Sequence, residues 1–444
     1  MIPLKTAHET KQIFEELPVP AALRTMVVPT IISQIIVLIY NMADTFYVGR
    51  TNNPYMVAGV SLILPVFNIT LCLAGIAGVG GGTLISRLLG ENRESEAKKA
   101  GCFSIYLSIL VALLFSVLTA VFMAPILKLL GAGENTFLYA RQYTFCVIVI
   151  GGIPTVLSNV LSNLIRSAGF SKEAGIGITM GGILNMVLDP LFMFVLLPKG
   201  NEVLGVGIAT CLSNCIACLY FFFVLFRTRK ESIITCSPKV GFPERKSITA
   251  IFFVGIPAAL TTLLFDLDYI VIDKLMVSYS DIALAAIGIV LKVERLPLNV
   301  GIGICQGMVP LVAYNYAANH YERMDAIMKR AKNQGLIVAI ISILAYEIFA
   351  VSIIQFFIAD TQTVTLAIQF LRIRVLATPL MFFSFFTTYL FQAFGCGNKA
   401  LFLGVMRWMV FNIPMLFLLN HLLGMFGIVW AQLTACLLYT SRCV

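Results

Sequence analysis

The sequence predicts an all-α integral membrane protein, with about twelve transmembrane helices in two pseudo-symmetric six-helix lobes. Three observations predict it: an apolar composition, the length and recurrence of the apolar runs, and a weak internal duplication. Of 444 residues, 59% are hydrophobic and 12% charged, against roughly 25% charged in a soluble domain. A helix rising 1.5 Å per residue crosses ~30 Å of hydrocarbon in about 20 residues. Apolar runs of that order occupy positions 26–48, 56–80, 102–127, 143–164, 176–197 and 205–226 in the first half. In the second they occupy 249–272, 282–313, 335–358, 375–394, 401–419 and 422–438.

The two halves carry the same landmarks in the same order. Val28-Pro29 corresponds to Ile256-Pro257, and Asp44, Val48 and Gly59 to Asp273, Val277 and Gly288. Asn185 corresponds to Asn412, and Gly207-Ile208 to Gly427-Ile428. Each half has about six spans, so both start from one side and form parallel bundles with a cleft between them. The division is an N-terminal lobe at 1–228, a polar, basic linker at 229–246 and a C-terminal lobe at 247–444. The last span is short, and Cys436-Leu-Leu-Tyr-Thr-Ser441 resembles translated sequencing-adapter DNA. The native chain is therefore expected to differ beyond about Ala435.

The net charge of +9 acquires a meaning once it is placed along the chain. With the N-terminus inside, the inner segments hold 20 Lys and Arg, whereas the outer ones hold 5: Arg50, Lys128, Arg141, Lys199 and Lys274. This bias puts both termini in the cytoplasm. It also argues against a nucleic-acid partner, which would call for a clustered basic face. The first 25 residues have no cleavable apolar core. Cys211, Cys215 and Cys218 share a helix face without a histidine or a second pair, and the three histidines are dispersed, so no metal centre or other cofactor is expected. Gly75-Ile-Ala-Gly-Val-Gly-Gly-Gly-Thr83 lacks the lysine of a phosphate loop; close helix packing is its expected role.

An ionisable side chain inside a span costs several kcal/mol, roughly, and marks a functional site by default. Asp44, in Asn41-Met-Ala-Asp-Thr-Phe-Tyr-Val-Gly49, lies near the end of the first span. In the fifth, Asn185 and Asp189 are four apart, hence on one face, and Pro190 removes a backbone donor that would bond the carbonyl one turn earlier. The sixth opens Gly205-Val-Gly-Ile-Ala-Thr210. At 1.5 Å per residue Asp44 lies about 27 Å along its span, Asn185 and Asp189 roughly 14 and 20 Å along theirs, and Thr210 about 8 Å below an outer end. All four therefore share the outer half of the first lobe. Two carboxylates in a low-dielectric bundle cannot both stay ionised cheaply, so a proton can bind or leave. With an amide and a hydroxyl they form an all-oxygen shell that suits a hard cation, which makes H⁺ or Na⁺ the expected ion.

The stretch from Pro29 to Gly49, the Asn185-x-x-x-Asp189-Pro190 and Gly205-x-Gly-x-Ala-Thr210 segments, and the Arg166-Ser-Ala-Gly169 turn resemble the multidrug and toxic compound extrusion family. The similarity spans nearly the whole chain. It implies a cation-coupled antiporter in the cell membrane that exports bulky, often cationic compounds by alternating access; a monomer is expected, and not an enzyme. It also implies that Asp44, Asn185, Asp189 and Thr210 are the cation-coupling residues.

The second lobe is not a copy of this site, because the position matching Asp189 is Leu416. A possible substrate or second-lobe polar site is formed by Asp266, Glu294, Lys292 and Arg295, in which Glu294 is expected either to be neutralised by Lys292 or Arg295 or to bind the cargo. Asp273 and Lys274 are expected at the outer surface. A lipid-linked saccharide flippase of the same superfamily would need a basic central cavity; Lys292, Arg295, Arg372 and Arg374 keep that alternative open. A membrane-embedded enzyme would need a nucleophile with its base, or a metal set, inside a span, and the sequence offers neither.

Overall fold

The computed structural model describes residues 11–51, 53–227 and 233–443. Residue 228, the first part of the expected linker, 229–232, and the side chains beyond Tyr439 lie outside the described residues. The helices of more than ten residues, in order, are α1 (Val19–Gly49), α2 (Pro54–Gly90), α3 (Glu94–Val121), α4 (Glu134–Ile150), α5 (Gly152–Ser167), α6 (Ser171–Leu196) and α7 (Glu202–Arg227). Then come α8 (Arg245–Val277), α9 (Asp281–Ala317), α10 (Tyr321–Phe357), α11 (Thr361–Val375), α12 (Thr378–Ala393), α13 (Gly397–Leu423) and α14 (Met425–Cys443). Among the described residues nine helices are long and apolar enough to cross a membrane, or eleven spans when each of two bent pairs counts as one. The twelfth expected span is α14, whose described apolar stretch, Met425–Tyr439, is shorter than a full crossing.

Two expected spans are broken. The fourth, read as one run over 143–164, bends by 50° between α4 and α5; the tenth, read as 375–394, bends by 47° between α11 and α12. Proline explains both positions. Pro154 and Pro379 have no N–H to donate and clash with the preceding turn, so each ends one helix and starts the next. At the first break Gly151 donates to the Cys146 carbonyl in a wider π turn, and a Cβ there would sit 2.8 Å from the carbonyl oxygens of Cys146 and Val147. Only glycine fits.

The apolar core shows how the lobes meet. At the end that bears the linker one core runs through both, joining Leu23 and Met26 of α1, Ile85 of α2 and Leu164 of α5 to Ile304 and Leu311 of α9 and Phe386 of α12. At the opposite end each lobe has its own. Val48, Ile63, Tyr143 and Val206 fill one, and Ile272, Val290, Phe370 and Ile428 the other. The lobes are thus fused at the linker end and parted at the far end, which makes a cleft open away from the linker.

Glycine sets the closeness of the fused end. A Cβ on Gly80 would meet the Ile251 carbonyl and one on Gly255 the Ile76 carbonyl, so α2 and α8 touch backbone to backbone; Gly307 and Gly303 of α9 do the same with Val27 and Ile31 of α1. The glycine run in α2 is therefore helix packing. Gly80→Val is expected to cost about 1–3 kcal/mol through overpacking and to lower the melting temperature of the purified protein. Gly75→Ala, five residues earlier where nothing lies within 4 Å, should leave the melting temperature unchanged.

Candidate functional site

The four residues predicted from the first lobe come together at the parted end. Asn185 and Asp189 on α6 and Thr210 on α7 are 3%, 0% and 6% exposed. Asn185 Nδ2 donates to Asp189 Oδ1 at 3.2 Å and to Thr210 Oγ1 at 3.4 Å. From α1 the Asp44 carboxyl comes within side-chain hydrogen-bonding reach of the Asp189 carboxyl. Two carboxyl groups can meet in this way only with a proton or a cation between them. No other side chain among the described residues donates to Asp44 Oδ1, Asn185 Oδ1 or Asp189 Oδ2, although each atom is buried.

The local sequence explains the assembly. Gly182, one turn before Asn185, lets α1 in: a Cβ there would lie 3.0 Å from the Tyr40 ring and 2.8 Å from Ile36 Cγ2. Gly205 and Gly207 do the same for α7, against the Phe192 backbone at 3.0 Å and Cys146 Cβ at 2.8 Å. After Pro190 the helix loosens into a π turn, Phe192–Leu196. Tyr40 and Tyr143 stand within electrostatic reach of Asp44. No lysine or arginine among the described residues pairs with either carboxylate. An anionic, all-oxygen pocket with buried free lone pairs can hold a proton or a hard cation.

The second lobe departs from the sequence reading. Leu416 is buried in an apolar core as expected, but Asn412 is not left without a carboxylate, since its Nδ2 donates to Asp268 Oδ1 at 2.5 Å. Asp268 is 1% exposed and comes from α8, about one turn from the position that matches Asp44. Glu294 is neutralised by neither Lys292 nor Arg295. Instead Arg374 of α11 grips it side-on, Nε to Oε2 at 2.6 Å and Nη2 to Oε1 at 2.8 Å, and Tyr269 OH adds a third bond at 3.3 Å. The reason is helical geometry: residues one or two apart point away from each other. Lys292 is exposed, and Arg295 lies over the Tyr269 ring at 4.6 Å.

Arg407 is a member of this cluster that the sequence reading did not single out. It is 4% exposed, and its guanidinium lies 4.8 Å from the Phe385 ring centroid and 4.2 Å from that of Trp408. A lone arginine within the apolar run 401–419 was the available signal. Asp273 is exposed. Asp266 is half-buried and stands within electrostatic reach of Cys72 of α2, which with Leu71, Ala258, Thr262 and Tyr389 lines a small pocket of about 60 Å³.

Of the four basic residues that kept a flippase open, three are engaged by other side chains and one is exposed among the described residues. Arg374 is held by Glu294, Arg295 lies over Tyr269, Lys292 is exposed, and Arg372 bridges Glu347 at 3.3 Å on the surface.

Comparison with known proteins agrees on a family. A family model, MatE, matches residues 29–191 and again 257–418. The chain is 30% identical over 422 residues to the multidrug export protein MepA of Staphylococcus aureus strain MSSA476, covering 95% of this chain and 92% of that one. It is 31% identical over 427 residues to MepA of Staphylococcus haemolyticus strain JCSC1435, with the same coverage. Among solved structures, a MATE crystal structure in complex with MaL6 superposes with a TM-score of 0.92 at 22% identity, covering 99% of this chain and 96% of that one. An outward-facing multidrug resistance MATE transporter of the MOP superfamily also gives 0.92, at 21% identity, covering 99% and 96%.

Proposed function

Since the chain belongs to the MatE family of membrane transporters, we propose that it is a cell-membrane antiporter that exports amphipathic organic cations in exchange for H⁺ or Na⁺. The observation that carries the reading is the set of buried oxygens without other donors, Asp44 Oδ1, Asn185 Oδ1 and Asp189 Oδ2, around two facing carboxyls. Burial of such a pair is costly, and a bound cation offsets that cost in a way that depends on how α1, α6 and α7 are packed. The Lys and Arg bias supports a cytoplasmic position for both termini and the linker. On that reading the cleft opens outward, and the cycle is taken up from its outward-open half.

In that half, H⁺ or Na⁺ enters at Asp44, Asn185, Asp189 and Thr210 and draws α1 toward α6. The cleft wall formed by α1 and α2 changes shape, and a bound organic cation is released to the outside. Asp266 supplies a negative charge that attracts the cargo. The lobes then rock about the fused end and expose the cleft to the cytoplasm. A few kcal/mol, roughly, of differential cation affinity between the two states suffices to bias them. The protein works as a monomer in this cycle, since each chain carries both lobes and the whole site.

Dye efflux from inverted vesicles tests the reading. Efflux should follow an imposed proton or Na⁺ gradient, and a lipid pyrophosphate should neither bind nor compete. Thr210→Val, which removes one oxygen while keeping the shape, is expected to weaken the cation response about fivefold, for the loss of a hydrogen bond of about 1 kcal/mol. Titration of dye binding against pH or Na⁺ measures it.

A further inference from the structure

The second lobe repeats the carboxylate and amide of the first but surrounds them with the opposite charge. The charged neighbour of Asp189 is another carboxylate, Asp44. The charged neighbours of Asp268 are Arg374, Arg407 and Glu294. All are buried, Asp268 at 1%, Glu294 at 3%, Arg374 at 2% and Arg407 at 4% exposure. Formal charge therefore differs between the sites: two acids and no base in the first lobe, two acids and two arginines in the second.

The arginines hold different posts. Arg374 is committed to Glu294 by two short bonds. Arg407 forms no ion pair among the described residues, and its Nε and Nη2, the side-on edge of the guanidinium, are buried with no acceptor. It stands within electrostatic reach of Asp268 and is held by stacking on Phe385 and Trp408. With Glu294 neutralised by Arg374, the charge left to balance Asp268 is Arg407.

We infer that Arg407 is a tethered cation, permanently supplying in the second lobe the positive charge that a mobile ion supplies in the first, so that the transporter binds one coupling ion per chain. The inference rests on the reading of the first-lobe site given above. Its physical basis is that a buried site with two uncompensated carboxylates needs a cation, whereas one already neutral gains little from it. A guanidinium stays charged in proteins and cannot leave. The second lobe is then a fixed lever, and the switch is confined to the first.

The test is a count of cations bound per purified full-length chain, by ²²Na⁺ binding and by proton uptake after an acid jump in lightly buffered detergent. Wild type is expected to bind one, and Asp44→Asn/Asp189→Asn none. Arg407→Gln should raise the count to two by unmasking Asp268, and Asp268→Asn/Arg407→Gln, which keeps the lobe neutral, should return it to one. A cation still bound by Asp44→Asn/Asp189→Asn would overturn the inference, as would a count of one in folded Arg407→Gln. If Arg407→Gln does not fold, the count in Asp44→Asn/Asp189→Asn decides. No cation bound by wild type would instead overturn the first-lobe reading.

Discussion

Asp189→Asn is expected to abolish gradient-driven efflux, at least about tenfold, while leaving the protein folded. Asp189 has no exposed surface, and its carboxyl meets Asp44 with no basic partner among the described residues. The amide is close in shape and can keep the Asn185 contact, now with its carbonyl oxygen. It cannot bind a proton or supply the second negative charge that Na⁺ would need. Dye should still bind, but its affinity should no longer respond to pH or Na⁺. Because coupling resides in differential affinity between states, loss of that response removes the driving force even where binding persists. The melting temperature should hold or rise, since one buried charge disappears. Dye binding by fluorescence, with and without the ion, checks the first point, and thermal unfolding the second.

The second large effect is expected at the Glu294 and Arg374 pair. Arg374→Met alone should destabilise the protein by about 3–5 kcal/mol, because it leaves a buried carboxylate held by little more than Tyr269. Glu294→Gln alone should be nearly as damaging. The double variant Glu294→Leu/Arg374→Met should recover most of the loss, since two apolar side chains of similar volume replace a pair whose desolvation offsets much of its attraction. Thermal unfolding of the four proteins closes a double-mutant cycle. If the pair were part of the ion-binding switch, the double variant would refold and yet lose the cation response; the account predicts that the response is kept.

The gathering of polar residues in the first lobe was legible in the sequence for a specific physical reason. Asp44, Asn185, Asp189 and Thr210 all lie on single spans whose depth follows from a fixed rise per residue, so agreement in depth was already visible, and the structure brings the four together. The second lobe hid its chemistry because its partners are chosen across helices. Glu294 takes Arg374, eighty positions away, over Lys292 and Arg295 beside it, since a helix turns its immediate neighbours aside. Asp268 meets Asn412 although the repeat register points at Asp273, because Asp268 faces inward and Asp273 faces out. The bends at Gly151 and before Pro379 escaped because apolar composition continues unbroken through them. Their signal was in Pro154 and Pro379, which hydropathy does not weigh.

Proteoliposomes with a pH gradient and a Na⁺ gradient imposed separately test whether the first-lobe carboxylates convert a cation gradient into export. Wild type should expel an organic cation dye under at least one gradient, and Asp44→Asn should not do so under either. Undiminished gradient-driven efflux by Asp44→Asn would contradict the account.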